Sequence, residues 1–193
     1  MKRKPEHLIL PEILNRWYSR AMNGESISDE ELMTLFDAAR WAPSSYNGQP
    51  WRFIYVKRED PEWEQFLDLL IDFNKNWAKN AGAIICTISR KTFTHNDKPC
   101  KTHSFDTGAA WMGLAIQGVS MNLVVHGMEG FSYKRAREIL EIPDEYEVEM
   151  MIAVGRPGLK ESLPEDMQKM EKMSDRNPIN SFAMKGKYKK SGT

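Results

Sequence analysis

An α+β fold, a small sheet with helices packed against it, is what this sequence predicts. Three observations carry that expectation. "SDEE" at residues 28–31 opens a stretch with apolar residues at helical spacing. "AGAIICTI", 81–88, is a short continuous apolar run of the kind that forms a central strand buried on both faces. Helical and strand-like segments alternate irregularly along the chain, which fits a sandwich around a small sheet.

The 193 residues suffice for one domain with a sizeable core, and neither a repeat nor a low-complexity linker divides them. The opening "MKRKPEHLILPEIL" is basic, but its apolar stretch is short and broken by Pro11. It does not read as a signal peptide. In the first clear helix Ser28 caps, Glu31 completes the box, and Leu32, Leu35, Phe36 and Ala39 form the apolar face. Pro43 follows its end. "WRFIYV", 51–56, reads as a strand. "PEWEQFLDLLIDFNKNWAKN", 61–80, reads as one amphipathic helix, 81–88 as a strand, and 89–104 as a polar loop.

From Thr107 to Val125 there is no charged residue, a length that approaches a membrane span. Gln117, Ser120 and Asn122 interrupt it, so the segment is expected to be a helix buried on nearly all sides of a soluble protein, capped by Asp106 and ended by Gly127. "SYKRAREIL" is a short helix closed by Pro143, and "EVEMMIAVG", 147–155, a further strand. Beyond Pro157 the chain is polar and Met-rich and ends near "KGKYKK". It has too few apolar residues for a core of its own and must lie along something else.

Lys plus Arg and Asp plus Glu both total 27, which argues against a nucleic-acid protein that works by bulk charge. Cys86 and Cys100 make no CxxC and no metal-ligand spacing, and read as free thiols of a reducing cytosol. The chain has no GxSxG, HExxH, Walker A or GxGxxG motif. Cys100 and His103 read as incidental loop residues, and the carboxylates Asp29, Glu30 and Glu31 as first-turn partners of a helix dipole. With so few acid–base parts, an enzyme of this sequence would rely on a cofactor.

Three places suit a ligand. Arg16 and Arg20, four apart, converge if they sit on a helix end and could then grip a phosphate, or form a solvated basic face. Arg176 precedes Asn177-Pro178, where the proline favours an extended approach. Gly127 and Gly130 flank Met128-Glu129, where backbone N–H groups can approach a ligand or a helix can simply end.

"ARWAPSSYNGQPWRFIYV", 39–56, resembles the Ala-Pro-Ser-x-x-Asn-x-Gln-Pro-Trp segment of the nitroreductase family of FMN-dependent oxidoreductases. The resemblance runs from about Ile13 to Tyr188. It implies an α-β-α sandwich with a mixed, mainly antiparallel sheet, in an intertwined homodimer with the apolar helix at its centre. Gly108, Gly113 and Gly118 would then allow close packing across the interface, and residues from about 160 to 193 would extend over the partner. Two FMN molecules would lie between the chains. By position, Arg16 would bind the phosphate, Trp17 would offer its backbone, and Arg20 would lie near N1 and the C2 carbonyl of the ring. Tyr18 stands where the family commonly has Ser. Pro43, Ser44 and Ser45 would pass the flavin, with Asn47 and Gln49 reaching it from the partner chain. Asn74 would bond the pyrimidine edge, the backbone of Glu129 and Gly130 would lie near N5, and Arg176 would be the second phosphate arginine. Trp41 and Trp51 are expected to anchor the turn in the core.

The implied activity is ping-pong. NADH or NADPH gives hydride to flavin N5, then a nitroaromatic, quinone or related electrophile accepts it. No acid, base or metal of the chain itself is assigned to that transfer. Relatives also carry out dehalogenation, enone reduction and flavin destruction, and a non-catalytic flavin-binding dimer is the remaining alternative.

Overall fold

The apolar run at 81–88 becomes the strand that organises the chain. A computed structural model describes residues 3–188. In order the elements are α1 (Pro11–Asn15), α2 (Asp29–Arg40), β1 (Trp51–Lys57), α3 (Trp63–Leu67), α4 (Asp72–Ala78), β2 (Ala83–Arg90), α5 (His103–Ser120), β3 (Val124–Met128), α6 (Tyr133–Ile139), β4 (Tyr146–Gly155) and α7 (Glu165–Met170). The four strands form one sheet in the order β1-β2-β4-β3, and every ladder is antiparallel.

Both sheet faces are covered, which is why β2 has no polar alternation. Ile84, Cys86 and Ile88 of β2 and Met151 and Ala153 of β4 join a core with α3, α4, α6 and α7. Ala83, Ile85, Ile152 and Val154 point the other way, onto α2 and α5. This is the period of two that strands impose. The capping box forms as predicted: the Ser28 hydroxyl accepts from Glu31 N at 3.1 Å, and the Glu31 carboxylate accepts from Ser28 N at 2.9 Å.

The segment 61–80 is two short helices rather than one. Between them Leu70 forms a bridge with Phe131, Ile71 N donates to Gly130 O at 3.1 Å, and Ser132 N donates to Leu69 O at 2.9 Å. Pairing with a distant strand-like segment overrides the local helical period.

The apolar helix also differs from expectation. It begins at His103, so Asp106 lies in its first turn and Thr102 precedes it. It stops at Ser120, and the chain reverses through Asn122, whose φ is +54°. Val124–Met128 is then an edge strand, so Gly127 lies in a strand and does not end a helix. In the single chain α5 is buried on one face only. Phe105 is exposed, and Ala109, Met112, Ile116 and Val119 are partly so. Their spacing makes an apolar stripe without cover in the chain itself. Gly113 and Gly118 do not face outward. A Cβ on Gly113 would meet the Ala38 carbonyl of α2 at 2.9 Å, and one on Gly118 would run into Val125; of these three glycines Gly108 alone faces open space. Among the described residues no helix is long and apolar enough to cross a membrane.

Candidate functional site

The site begins with the segment that carries the two arginines. The helical spacing proposed for them is not realised: α1 ends at Asn15, and Arg16 is already extended, with φ −60° and ψ 126°. In an extended run alternate side chains share a side. Ser19 is buried, and Tyr18 points outward. Arg16 Cζ lies 4.7 Å from the Tyr18 ring centroid, and Arg20 Cζ lies 5.7 Å from that of Phe73 on α4. Nε and Nη1 of Arg16 and Nε of Arg20 are buried, with no hydrogen-bond partner among the described residues. Buried guanidinium donors without acceptors are costly, and they are a natural seat for an anion.

The inner side of this segment is fixed from two directions. The Glu171 carboxylate, buried just beyond α7, accepts from Ser19 Oγ (2.5 Å), Arg20 N (3.1 Å) and Ala21 N (3.3 Å). From β3, His126 Nδ1–H donates to Ser19 O at 2.8 Å. Burial, with smaller effects of Arg20 and Arg16, pushes His126 down to about 4, against partial opposition from its bond to Ser19 and from Glu171. The ring is therefore neutral near pH 7, with the proton on Nδ1.

His126 also connects the segment to the next part of the site. Its ring centroid is 4.5 Å from that of Trp77, and Trp77 Nε1 donates to Asn74 Oδ1 at 3.3 Å. Asn74 Nδ2 donates to Gly130 O at 3.0 Å. A Cβ on Gly130 would collide with Asn74 and Ile71, so only glycine allows this approach. Asn74 and the Glu129–Gly130 backbone are thus brought together, at the place where the 61–80 helix divides.

Arg176 lies in the exposed tail, where its Nη1 donates to Ser174 Oγ at 2.9 Å and Asp175 O at 2.9 Å. Sequence reasoning missed Arg3. Its guanidinium donates to Ser174 O, Leu14 O and Arg16 O at 2.7–2.8 Å, so it joins the tail to the Arg16 segment. Burial, then the like charges of Arg176 and Arg16, lowers its pKa below the usual value. The tail's final lysines, Lys189 and Lys190, lie outside the described residues.

The turn Pro43–Gln49 stands apart. No hydrogen bond or ring contact among the described residues joins it to Arg16–Arg20. Ser45 N donates to Asp106 Oδ2 (3.0 Å), Gln49 N to Ser44 Oγ (3.1 Å), and Arg52 to Gln49 O (2.9 Å). Tyr46, Asn47 and Gln49 have φ of 52°, 52° and 45°, a left-handed backbone that side chains disfavour. Trp51 is buried as expected, but Trp41 is 75% exposed and lies beside Arg40. Elsewhere, Ser89, fully buried, donates to Glu149 and meets His103 Nδ1 at 2.7 Å. Cys100 Sγ lies 3.6 Å from Thr102 Oγ1 instead of His103.

This two-sided sandwich is an architecture found among known flavoproteins. A crystal structure described as an oxidoreductase containing FMN superposes with a TM-score of 0.94 at 40% identity, over 98% of this chain and 97% of that one. The model of the nitroreductase family matches residues 13–156, and the chain belongs to that family. The oxygen-insensitive NADPH nitroreductase of Helicobacter acinonychis (strain Sheeba) is 34% identical over 82 residues, 42% of this chain and 38% of that protein. The major NAD(P)H-flavin oxidoreductase of Aliivibrio fischeri is 28% identical over 95 residues, 47% and 43% of the two chains. In these matches the chain spans less than half the length of the curated relatives.

Proposed function

We propose that this chain is an FMN-dependent oxidoreductase that takes hydride from NADH or NADPH and passes it to nitroaromatic, quinone or related electrophilic acceptors, working as a homodimer. The observation that carries this reading is the row of buried, unpartnered guanidinium nitrogens of Arg16 and Arg20. They offer the donor set a phosphate and an electron-rich ring edge need. When bound, FMN supplies the two-electron chemistry.

The chain's own residues bind and tune. Arg16 and Arg176, with Arg3 linking their segments, hold the phosphate. Arg20 stabilises negative charge that develops on the reduced ring, a preorganised electrostatic role. Asn74, with both donor and acceptor atoms, suits the pyrimidine edge, and the Glu129–Gly130 backbone would serve the reactive edge. Pro43, Ser44, Ser45, Asn47 and Gln49 complete the site of the second copy. The uncovered α5 stripe supports such a dimer, and the exposed chain beyond Glu171 supports an extension that reaches the partner.

The test is an absorption spectrum of the purified protein, followed by NADH or NADPH without oxygen. The expected result is a yellow protein that bleaches, and loss of FMN from Arg16→Ala and Arg176→Ala. A flavin that binds but is reduced by neither nucleotide would leave a non-catalytic flavin-binding dimer. A colourless protein that takes up no FMN would overturn the reading.

A further inference from the structure

Arg16 has no carboxylate, carbonyl or hydroxyl on its buried nitrogens, yet a flexible cation needs something to hold it. Its guanidinium carbon lies 4.7 Å from the centroid of the Tyr18 ring, well inside cation–π range. That ring is itself fixed. It lies nearly parallel to Trp111, at an interplanar angle of 6° and a centroid distance of 6.3 Å. His126 packs against it at 5.0 Å, and His126 is tied to Ser19 O and rests on Trp77. Arg16, Tyr18, His126 and Trp77 form one continuous column.

From this column we infer that Tyr18 is a positioning residue, whose ring holds the Arg16 guanidinium in place to receive the cofactor phosphate. The inference rests on Arg16 being a phosphate ligand, as proposed above. A ring suits the task in a way a carboxylate would not. It attracts the cation through its quadrupole and takes up none of its N–H donors. A carboxylate would hold the arginine equally well, but it would neutralise the charge and compete with the phosphate for the same donors. Tyrosine at this position therefore holds the arginine through its ring and leaves the guanidinium donors free.

The experiment titrates apo-protein with FMN and, separately, with riboflavin, which lacks the phosphate. Wild type is compared with Tyr18→Phe, Tyr18→Leu, Arg16→Ala and the Arg16→Ala/Tyr18→Leu double variant. Tyr18→Leu should weaken FMN about tenfold, the worth of a partly desolvated cation–π contact, and leave riboflavin unchanged. Unchanged riboflavin binding also reports that the variant is folded. Tyr18→Phe, which keeps the ring, should stay within about twofold of wild type. The double variant should bind FMN no more weakly than Arg16→Ala alone, because the two residues act as one.

Equal weakening of FMN and riboflavin by Tyr18→Leu would overturn the inference and leave a structural ring. So would additive effects in the double variant, or a Tyr18→Phe as poor as Tyr18→Leu, which would assign the role to the hydroxyl. An Arg16→Ala protein that binds FMN as wild type does would instead overturn the cofactor reading, and this inference with it.

Discussion

The arginine segment at 16–21 is anchored from three other parts of the chain, and the turn at 43–49 largely by itself. Glu171 and His126 grip the first from beyond α7 and from β3, and Arg3 ties its start to the tail. The second takes one bond from α5 and one from Arg52 of β1, and its Tyr46 ring rests on Phe93 and His95; the rest is its own backbone, with three left-handed residues. Its side chains at Tyr46, Asn47 and Gln49 are exposed. On the proposed function, the difference teaches where each half of the site is completed. A cationic pocket needs its charges held before the anion arrives, and folding of this chain does that. A turn that presents donors to a second copy has to face outward, and its rigidity has to come from Pro43, Pro50 and backbone geometry.

The comparison breaks most readily at Glu171. Replacing it with Ala leaves a buried hydroxyl and two backbone N–H groups without their acceptor. Unfolding by urea should show a loss of about 3–4 kcal/mol, and FMN affinity should fall with it. Glu171→Gln should lie between, because its amide offers one acceptor oxygen where the carboxylate offers two. An alanine variant as stable as wild type would show that the tail does not anchor the arginine segment.

His126 tests the same anchor through pH. Its pKa falls from an ordinary 6.5 to about 4 in the folded chain, so below pH 6.5 the unfolded chain takes up the proton first. Its contribution to stability is therefore present in full above about pH 6.5, and is lost as pH falls towards 4. The loss approaches about 3 kcal/mol in the limit. His126→Phe should flatten that part of the stability–pH curve. An unchanged acid limb would place the titration elsewhere.

What the sequence disclosed follows the same division. The turn and its flanks are local: a capping box, a proline, and a strand of aromatic and β-branched residues can each be read within a dozen positions. The turn's residue pattern also carried the family resemblance. The anchors of the arginine segment are not local. Glu171 is 152 positions from Ser19, and His126 is 107. The apolar pattern predicts a helix that runs on to Gly127, because nothing nearby signals that Asn122 turns left-handed and that an edge strand carrying His126 follows. The division of 61–80 was hidden for the same reason: its cause is Phe131. Local period governs an element until a distant partner outweighs it. Arg3 had no signal beyond its charge, and only the path of the tail reveals its role.

The smallest change in stability, and the sharpest statement about the turn, comes from Gln49. Its amide is exposed and, among the described residues, bonds only to Asn47 O, at 3.3 Å. Gln49→Ala should alter the unfolding free energy by less than about 0.5 kcal/mol, while FMN binding weakens about fivefold, the worth of one lost hydrogen bond. Mixed dimers then separate the two halves of the site. If Gln49 serves the site of the other copy, a dimer of one Arg16→Ala chain and one Gln49→Ala chain carries both defects in one site and none in the other. Half of its sites should bind FMN with wild-type affinity. If Gln49 serves its own chain's site, every site carries one defect and none binds normally. A titration of the mixed dimer that shows no high-affinity half would return the turn to its own chain. The contrast between the two regions would then reflect packing alone, without a division of labour between copies.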